Sequence, residues 1–391
     1  MSVNQHINCL AYFRHQYKKA ASKKEKTEII NEVCIFFQYH RKAAIRYLNK
    51  PAIPTQKSKR GRKPMYDPDI FRPILKQFWF AADQPCGKRL KALLPEWLPF
   101  YAQEYGPIEE GMKKKLLTLS SASIDRLLKH TRTQLAHKGR SGTKPGSLIK
   151  QHIPIKVEHW DDKKPGFMET DTVALCGQSL AGDFVWCITM TDIASCWTEC
   201  RATWNKGSAG VLEQLKDIES KLPFPMLGFD SDNGCEFLNW HLVRHYQERQ
   251  NPVQFTRSRP YKKNDNAHVE QKNWSHVRQL FGYDRFANVE LVSLMNGLLA
   301  NEYSLLQNHF LPNSKLIDKE RINSTIKKKH DKPRTPYQRL MDFPEVPNDM
   351  KMKLKIQHDQ LNPFQLKKCI ELKLKKIFAL VSVTPNVRHR L

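Results

Sequence analysis

Three carboxylates, Asp171, Asp232 and Glu270, have types and surroundings that point to chemistry. Asp171 lies inside the run FMETDTVAL (167–175), among apolar and hydroxylated neighbours. A carboxylate there is costly unless it is paired or bound to a cation. Asp232 ends PMLGFDSDNG (225–234) in a Ser-Asp-Asn-Gly turn. Glu270 falls in the first turns of a helix predicted over NDNAHVEQKNWSHVRQLFG (264–282), with Asn264 or Asp265 as its cap. Each alone has an ordinary reading: turn chemistry for Asp-Asn-Gly, a solvated helix-face acid for Glu270, a hydrogen-bonded strand aspartate for Asp171. Glu169, Asp192 and Asp230 stand nearby and read as packing or turn residues. Brought together, three carboxylates repel one another, and a pair of hard, oxygen-seeking divalent ions resolves the repulsion.

For the three to meet, particular elements must carry them. FMETDTVAL, DFVWCITMTD (183–192) and CWTECRATW (196–204) read as strands, the first two joined by a turn around Gly177 to Gly182. Residues 208–221 place Val211, Leu212, Leu215 and Ile218 at helical spacing. A short buried strand at 225–234, the helix LNWHLVRHYQERQ, the strand PVQFTRS and the helix of Glu270 follow. This order predicts an α/β fold: a mixed five-stranded sheet, three antiparallel strands and then right-handed crossovers, flanked by helices on both faces. The first strand is central and neighbours the fourth, so Asp171 and Asp232 converge. The last helix crosses that edge and brings in Glu270.

Composition points to the partner. Sixty-five Lys and Arg stand against 39 Asp and Glu in 391 residues, a formal net charge of +26. Such an excess is self-repulsive unless a polyanion offsets it, and nucleic acid is the leading candidate. A hydrophobic content of 40% is too high for wholesale disorder. None of the nine cysteines forms a C-x-x-C pair, the closest spacing being Cys196-x-x-x-Cys200. That speaks against a structural zinc site and for reduced thiols in a cytoplasmic setting. No apolar leader opens the sequence, and no run approaches the ~18 apolar residues of a membrane span. A soluble, cytoplasmic protein without a membrane partner is expected.

The flanks read as DNA-handling text. Residues 1–56 form an all-helical, helix-turn-helix-like region in which Ile29, Val33, Phe36 and Phe37, then Ala44, Ile45 and Leu48, recur at helical spacing. The turn Gln38-Tyr39-His40 lacks the glycine such turns often carry. Its second helix would offer Arg41, Lys42 and Arg46 to a major groove. A basic linker at 57–68 carries Arg60 and Arg62, residue types that can enter a minor groove from an extended strand. A second helical region at 69–137 ends in a helix capped by Ser120 or Ser121 and showing Arg126, Lys129 and Arg132 outward. A Gly/Ser/Pro-rich linker at 138–154 leads to the core at 155–309. The basic C-terminal region, 310–391, reads as Lys-rich helices around the loop DKPRTPYQRL. Each basic face has an equally simple reading as solvated surface.

The blocks Glu169-Thr170-Asp171-Thr172, Ser231-Asp232-Asn233-Gly234-Cys235-Glu236-Phe237 and Asn264-Asp265-Asn266-Ala267-His268-Val269-Glu270-Gln271-Lys272-Asn273 resemble the integrase core of DDE transposases and retroviral integrases, specifically that of bacterial insertion-sequence transposases. The likeness covers roughly residues 155–285 and implies a ribonuclease-H-like fold. It implies a catalytic triad of Asp171, Asp232 and Glu270 holding two Mg2+ ions, with Mn2+ as a substitute. Asp171 would bridge both ions, and Asp232 and Glu270 would hold one each. The implied reaction is nicking of transposon 3′ ends followed by strand transfer into target DNA. The implied partners are double-stranded DNA, as terminal inverted repeats and target, and a second copy of the chain, since two ends must be brought together.

The sequence also departs from the family. Asp232 and Glu270 are 270 − 232 = 38 positions apart, slightly more than is typical of retroviral integrases. The His/Cys zinc domain of those enzymes is absent. Trp274 and Val277 stand where lysines often follow the glutamate, which leaves Lys272, His276 and Arg278 as the local DNA contacts. Two other readings are a nuclease of the same fold, which cuts without joining, and a non-catalytic DNA-binding regulator derived from a transposase. The regulator would predict a broken triad.

Overall fold

The computed structural model describes residues 3–49, 65–134, 164–232, 234, 236–257, 267–322 and 325–383. The chain forms two compact units, Met1–Tyr66 and Asp67–Leu391.

The first unit holds three helices, α1 (Val3–Lys19), α2 (Lys23–Phe37) and α3 (Arg41–Asn49). A capping box opens α2: Ser22 Oγ accepts from the Glu25 amide at 3.1 Å, and the Glu25 carboxylate accepts from the Ala21 and Ser22 amides. Ile30, Val33, Ala44 and Leu48 are buried, with Phe13 and Tyr17 of α1 packed against them. The expected pair of helices is present, and α1 completes a core that two short helices could not close. Without a glycine, the turn between α2 and α3 is made by Gln38, which adopts the left-handed conformation (φ 53°, ψ 38°). Arg60 and Arg62 lie outside the described residues, as do the linker at 138–154, apart from its position in the sequence, and the expected caps Asn264 and Asp265.

The second unit opens with α4 (Pro68–Ala81), α5 (Gly87–Tyr105), α6 (Glu110–Thr118) and α7 (Ser121–Gln134). Then come β1 (Phe167–Ala174), β2 (Val185–Asp192), β3 (Thr198–Trp204), α8 (Ser208–Lys221), β4 (Gly228–Ser231), α9 (Trp240–Gln247) and β5 (Gln254–Arg257). The helix α10 (Ala267–Lys272) runs through a π-helical turn, Asn273–Arg278, into α11 (Gln279–Phe281). The helix α12 (Glu290–Leu298) continues into two further π-helical stretches, Leu299–Tyr303 and Leu306–Phe310. The C-terminal part holds β6 (Leu316–Ile322), β7 (Thr325–His330), α13 (Pro336–Asp342), α14 (Asn348–Asp359) and α15 (Pro363–Val383).

The five-stranded sheet has the order β3-β2-β1-β4-β5. β1, β2 and β3 are mutually antiparallel, and β4 and β5 run parallel to β1. The expected topology is therefore present, with β1 central and beside β4. One face of the sheet, with Met168, Ile188, Met190, Phe229 and Phe255, packs on α8 through Val211, Leu215 and Ile218, and on α9 through Leu242 and Tyr246. Burial of this interlayer core stabilises the sheet at about 25 cal/mol per Å2 of apolar area removed from water. Among the described residues, no helix is long and apolar enough to cross a membrane.

Three expectations need correction. The C-terminal region is not purely helical, because residues 316–330 form a two-stranded antiparallel ribbon. DKPRTPYQRL is not merely a loop: Thr335 caps α13 in a capping box with Gln338. The region at 69–137 does not stand apart from the C-terminal region either. Phe364 of α15 is enclosed by the rings of Phe78, Trp97, Tyr101 and Tyr105, and Lys367 and Lys373 pair with Asp83 and Glu302. These lysines hold helices together, so they are not a free basic face. Arg132 likewise turns inward to Asp125 at 2.6 Å and to the Pro85 carbonyl.

Candidate active site

β1 and β4 are paired in register: Phe167 with Gly228, Met168 with Phe229, Glu169 with Asp230 and Thr170 with Ser231. The pairing ends there: β4 stops at Ser231, and Asp232 is the next residue, in the turn, as Asp171 is the next residue along β1. Neighbouring strands lie about 4.8 Å apart, so the end of β4 delivers the Asp232 backbone close to that of Asp171. The Asp171 carboxylate is fixed at both oxygens. Oδ1 accepts from the Thr172 amide at 2.7 Å, and Oδ2 accepts from Asn273 Nδ2 at 2.6 Å.

The helix of Glu270 is tied across the same strand twice. The Val269 amide donates to Glu169 Oε2 at 3.3 Å, and Asn273 donates to Asp171. Glu270 sits between these ties, one residue after the first and one helical turn before the second. Its backbone is thus brought over β1, while its side chain lies outside the described residues. The helix widens into π geometry at Asn273, a rare turn often found at functional sites. Among the described residues, no three His, Cys, Asp or Glu side chains form a metal-holding group, a statement that does not extend to the Glu270 side chain.

The Asp232 turn has its own support. The Gly234 amide donates to Asp232 Oδ1 at 3.0 Å. A Cβ at Gly234 would come within 2.6 Å of the Glu236 carboxylate, which would then have to shift from its partners. Glu236 is 2% exposed. Its Oε1 accepts from Thr172 Oγ1 at 2.9 Å and from Lys206 Nζ at 2.7 Å. Lys206 in turn lies over the Trp186 ring, 4.0 Å from its centroid. Burial, and then the Glu236 carboxylate, push the Asp232 carboxyl above its ordinary range, against the Gly234 hydrogen bond and Lys206. A cation beside it would reverse that balance.

The competing acids have structural partners. Asp192 is fully buried and accepts from the Gly166 amide, the Ser195 amide and Ser195 Oγ at 2.6–2.7 Å. Asp230 is fully buried and accepts from Thr256 Oγ1 at 2.6 Å. Glu169 anchors α10, as described.

The expected DNA contacts near the triad change. His276 is buried, its Nδ1 2.9 Å from Ser275 Oγ. Burial, then Lys272 and Arg89, hold its imidazole far below the usual range and therefore neutral. A buried neutral ring does not meet a phosphate, and His276 is withdrawn as a contact. Arg278 donates to the Ala174 carbonyl at 2.8 Å and lies over Tyr283, so it ties the helix to the end of β1. Lys272 is half-buried, and burial lowers its pKa. Arg41, Lys42 and Arg46 of α3 are exposed, as are Arg126 and Lys129 of α7. Arg41 also donates to Asn31 at 2.7 Å.

Three residues of the site escaped the sequence reading. Glu236 stood inside the Ser231–Phe237 block, so its signal was present. Asn273 closed the third block, one helical turn after Glu270. Lys206 had no sequence signal, because only the fold brings the β3–α8 turn under Glu236.

No family model matches the chain. The chain is similar to the uncharacterized protein y4rM of Sinorhizobium fredii, 36% identical over 324 residues that span 82% of this chain and 91% of that protein.

Proposed function

We propose that this chain, which belongs to the same family as y4rM of Sinorhizobium fredii, is a DNA transposase of insertion-sequence type with a ribonuclease-H-like catalytic core. One observation carries the reading. The β1–β4 register ends one residue short of both Asp171 and Asp232, and the Asn273–Asp171 hydrogen bond ties the helix of Glu270 to the same strand, which supports a meeting of the three. A sheet in the order β3-β2-β1-β4-β5 with helices on its faces accords with it.

Asp171, Asp232 and Glu270 would hold two Mg2+ ions, or Mn2+ in their place. The donors fit, being oxygens only, and the raised Asp232 carboxyl gains from a neighbouring cation. Bound there, such ions supply Lewis-acid stabilisation of the phosphoryl group and of the entering and leaving oxygens. The chain's own residues do the rest. Asn273 orients Asp171, and the Gly234 amide and the Glu236–Lys206 pair hold the Asp232 turn. Water attacks phosphorus at a transposon end, the P–O3′ bond breaks, and the end keeps a free 3′-hydroxyl. That hydroxyl then attacks phosphorus in target DNA in line and displaces the target's 3′ oxygen. Arg41, Lys42 and Arg46, with Arg126 and Lys129, would recognise the terminal inverted repeats. Pairing two ends calls for at least a homodimer.

The test sequences the DNA flanking the gene for inverted repeats and uses them as labelled end DNA, together with a target plasmid. Joined products are expected. Nicking without joining would mean a nuclease of the same fold, and binding alone a regulator. Asp232→Asn should keep end binding and lose both nicking and joining; activity retained in that variant overturns the assignment.

A further inference from the structure

β6 and β7 form a ribbon of two strands, and such a hairpin is only marginally stable by itself in water. This one is held at its root. Lys315 and Asp331 exchange hydrogen bonds at 2.7 and 3.0 Å, and the backbones of Asn313 and Arg334 bridge in both directions. Arg339 clamps Asp331 at 2.6 Å and the Asn313 carbonyl at 3.1 Å. Lys315 Nζ also donates to the Ala194 carbonyl, which fixes the root to the β2–β3 turn. Beyond the root every residue whose burial is described, Leu316, Ile317, Asp318, Glu320 and Lys327 to His330, is exposed. The ribbon is firmly rooted, yet it serves no core among the described residues.

Its register sorts the charges by face. Asp318 pairs with Lys329 and Glu320 with Lys327, so these four positions share a face and balance. Lys319 pairs with Lys328 and Arg321 with Ile326, so the other face holds cationic positions and no acid. Like charges directly opposite each other destabilise a strand pair. A ribbon that places two lysines in register is arranged for a polyanion to offset them. The major groove of duplex DNA admits a two-stranded ribbon, and its phosphates supply that charge.

We infer that β6–β7 is a DNA-gripping arm whose face at positions 319, 321 and 328 lies against the phosphates of duplex DNA. The partner rests on the transposase reading above. The root is at Ala194, whereas Asp171 pairs with Thr189. Three residues of strand, roughly 10 Å, and two of turn separate them. The arm therefore grips duplex beside the reacting phosphate and takes no part in its chemistry.

The test measures binding of the full-length protein to duplex DNA several helical turns long across a salt series. Lys319→Ala/Arg321→Ala/Lys328→Ala should lower the slope of log affinity against log salt by about 2.7, since each phosphate contact contributes roughly 0.9. Lys327→Ala/Lys329→Ala, on the balanced face, should lower it by less than about 1. Arg321→Lys should leave it unchanged. Lys328→Ala alone, the mildest change, should remove about 0.9 even if the triple variant folds poorly. An unchanged slope in the triple variant, or losses on both faces in proportion to charge removed, overturns the arm. Loss of dimer in sedimentation with DNA binding intact also overturns it, and gives the face to a second copy of the chain. If the wild type nicks and joins while the ribbon variants bind as it does, the arm falls and the transposase reading stands. A wild type with no salt-dependent duplex binding removes both.

Discussion

Asn273 holds Asp171 by one short hydrogen bond from its amide nitrogen, and its amide oxygen, Oδ1, is buried without a partner among the described residues. On the proposed reading, such a residue would orient a metal-holding carboxylate without touching substrate. Loss of an outer-shell partner of this kind typically costs 10–100-fold in metal affinity or activity. Asn273→Ala should therefore raise the Mg2+ concentration at half-maximal nicking by about that factor while leaving DNA binding alone. Superimposable Mg2+ titrations of variant and wild type would refute the role. Lys206 belongs to the same scale. Removing one partner of a buried pair leaves the other charge uncompensated, at about 3–5 kcal/mol. The Lys206 side chain is 32% exposed, so Lys206→Ala should cost about 3 kcal/mol, at the low end of that range, in urea denaturation. Lys206→Ala/Glu236→Gln should recover part of the loss; no recovery would mean that the lysine acts through something other than this carboxylate.

At the scale of elements, periodicity carried the most information where one face of an element is buried. The helix expected at 208–221 has those bounds in the structure, because Val211, Leu215 and Ile218 all face the sheet. β4 is shorter than its apolar text, Gly228–Ser231, since pairing with β1 ends where the Asp232 turn begins. The ribbon was not legible. LIDKERI and TIKKKH bury no face, so they lack the alternation that marks a strand, and their lysines read as helical surface. Exposure also frames a prediction for α3. Arg41, Lys42 and Arg46 are exposed, while Ala44 and Leu48 of the same helix make the core. Arg41→Ala/Lys42→Ala/Arg46→Ala should weaken binding to the terminal repeats at least tenfold, about 1.4 kcal/mol or more, without lowering the melting temperature. Unchanged end affinity in a gel-shift titration would take recognition away from α3.

For the whole molecule, buried titratable groups set how stability follows pH. Burial raises the Asp192 carboxyl to about 6 from its ordinary 3.8, against the hydrogen bonds it accepts. The folded state then binds the extra proton, so this contribution is complete below about 4 and is lost as pH rises through 6, on the order of 3 kcal/mol in total. His309 works the other way. Burial, then its neighbour His358, lower it to about 3 from 6.5. Its contribution is complete above 6.5 and is lost as pH falls toward 3. His276 is lowered for a similar reason and adds to that loss. Between pH 4 and 6 the aspartate and the histidines oppose one another. Asp192→Asn should remove the opposing term and make acid destabilisation steeper in denaturation midpoints taken across that range. A variant as flat as the wild type would show that Asp192 does not titrate there.

The sequence by itself determined the order of strands and helices from β1 to α10, the central place of β1, and the elements that carry Asp171, Asp232 and Glu270. Those follow from hydrophobic period, turn residues and local spacing, all of which act between near neighbours in the chain. Only the tertiary structure decided that Asn273 would reach Asp171, 102 positions away, and that Lys206 would reach Glu236, 30 positions away. It alone buried His276, turned Arg278 back onto β1 and left the β6–β7 ribbon exposed. A side chain's partner and its access to solvent depend on which elements lie against it, and that is set by packing between segments distant in the sequence.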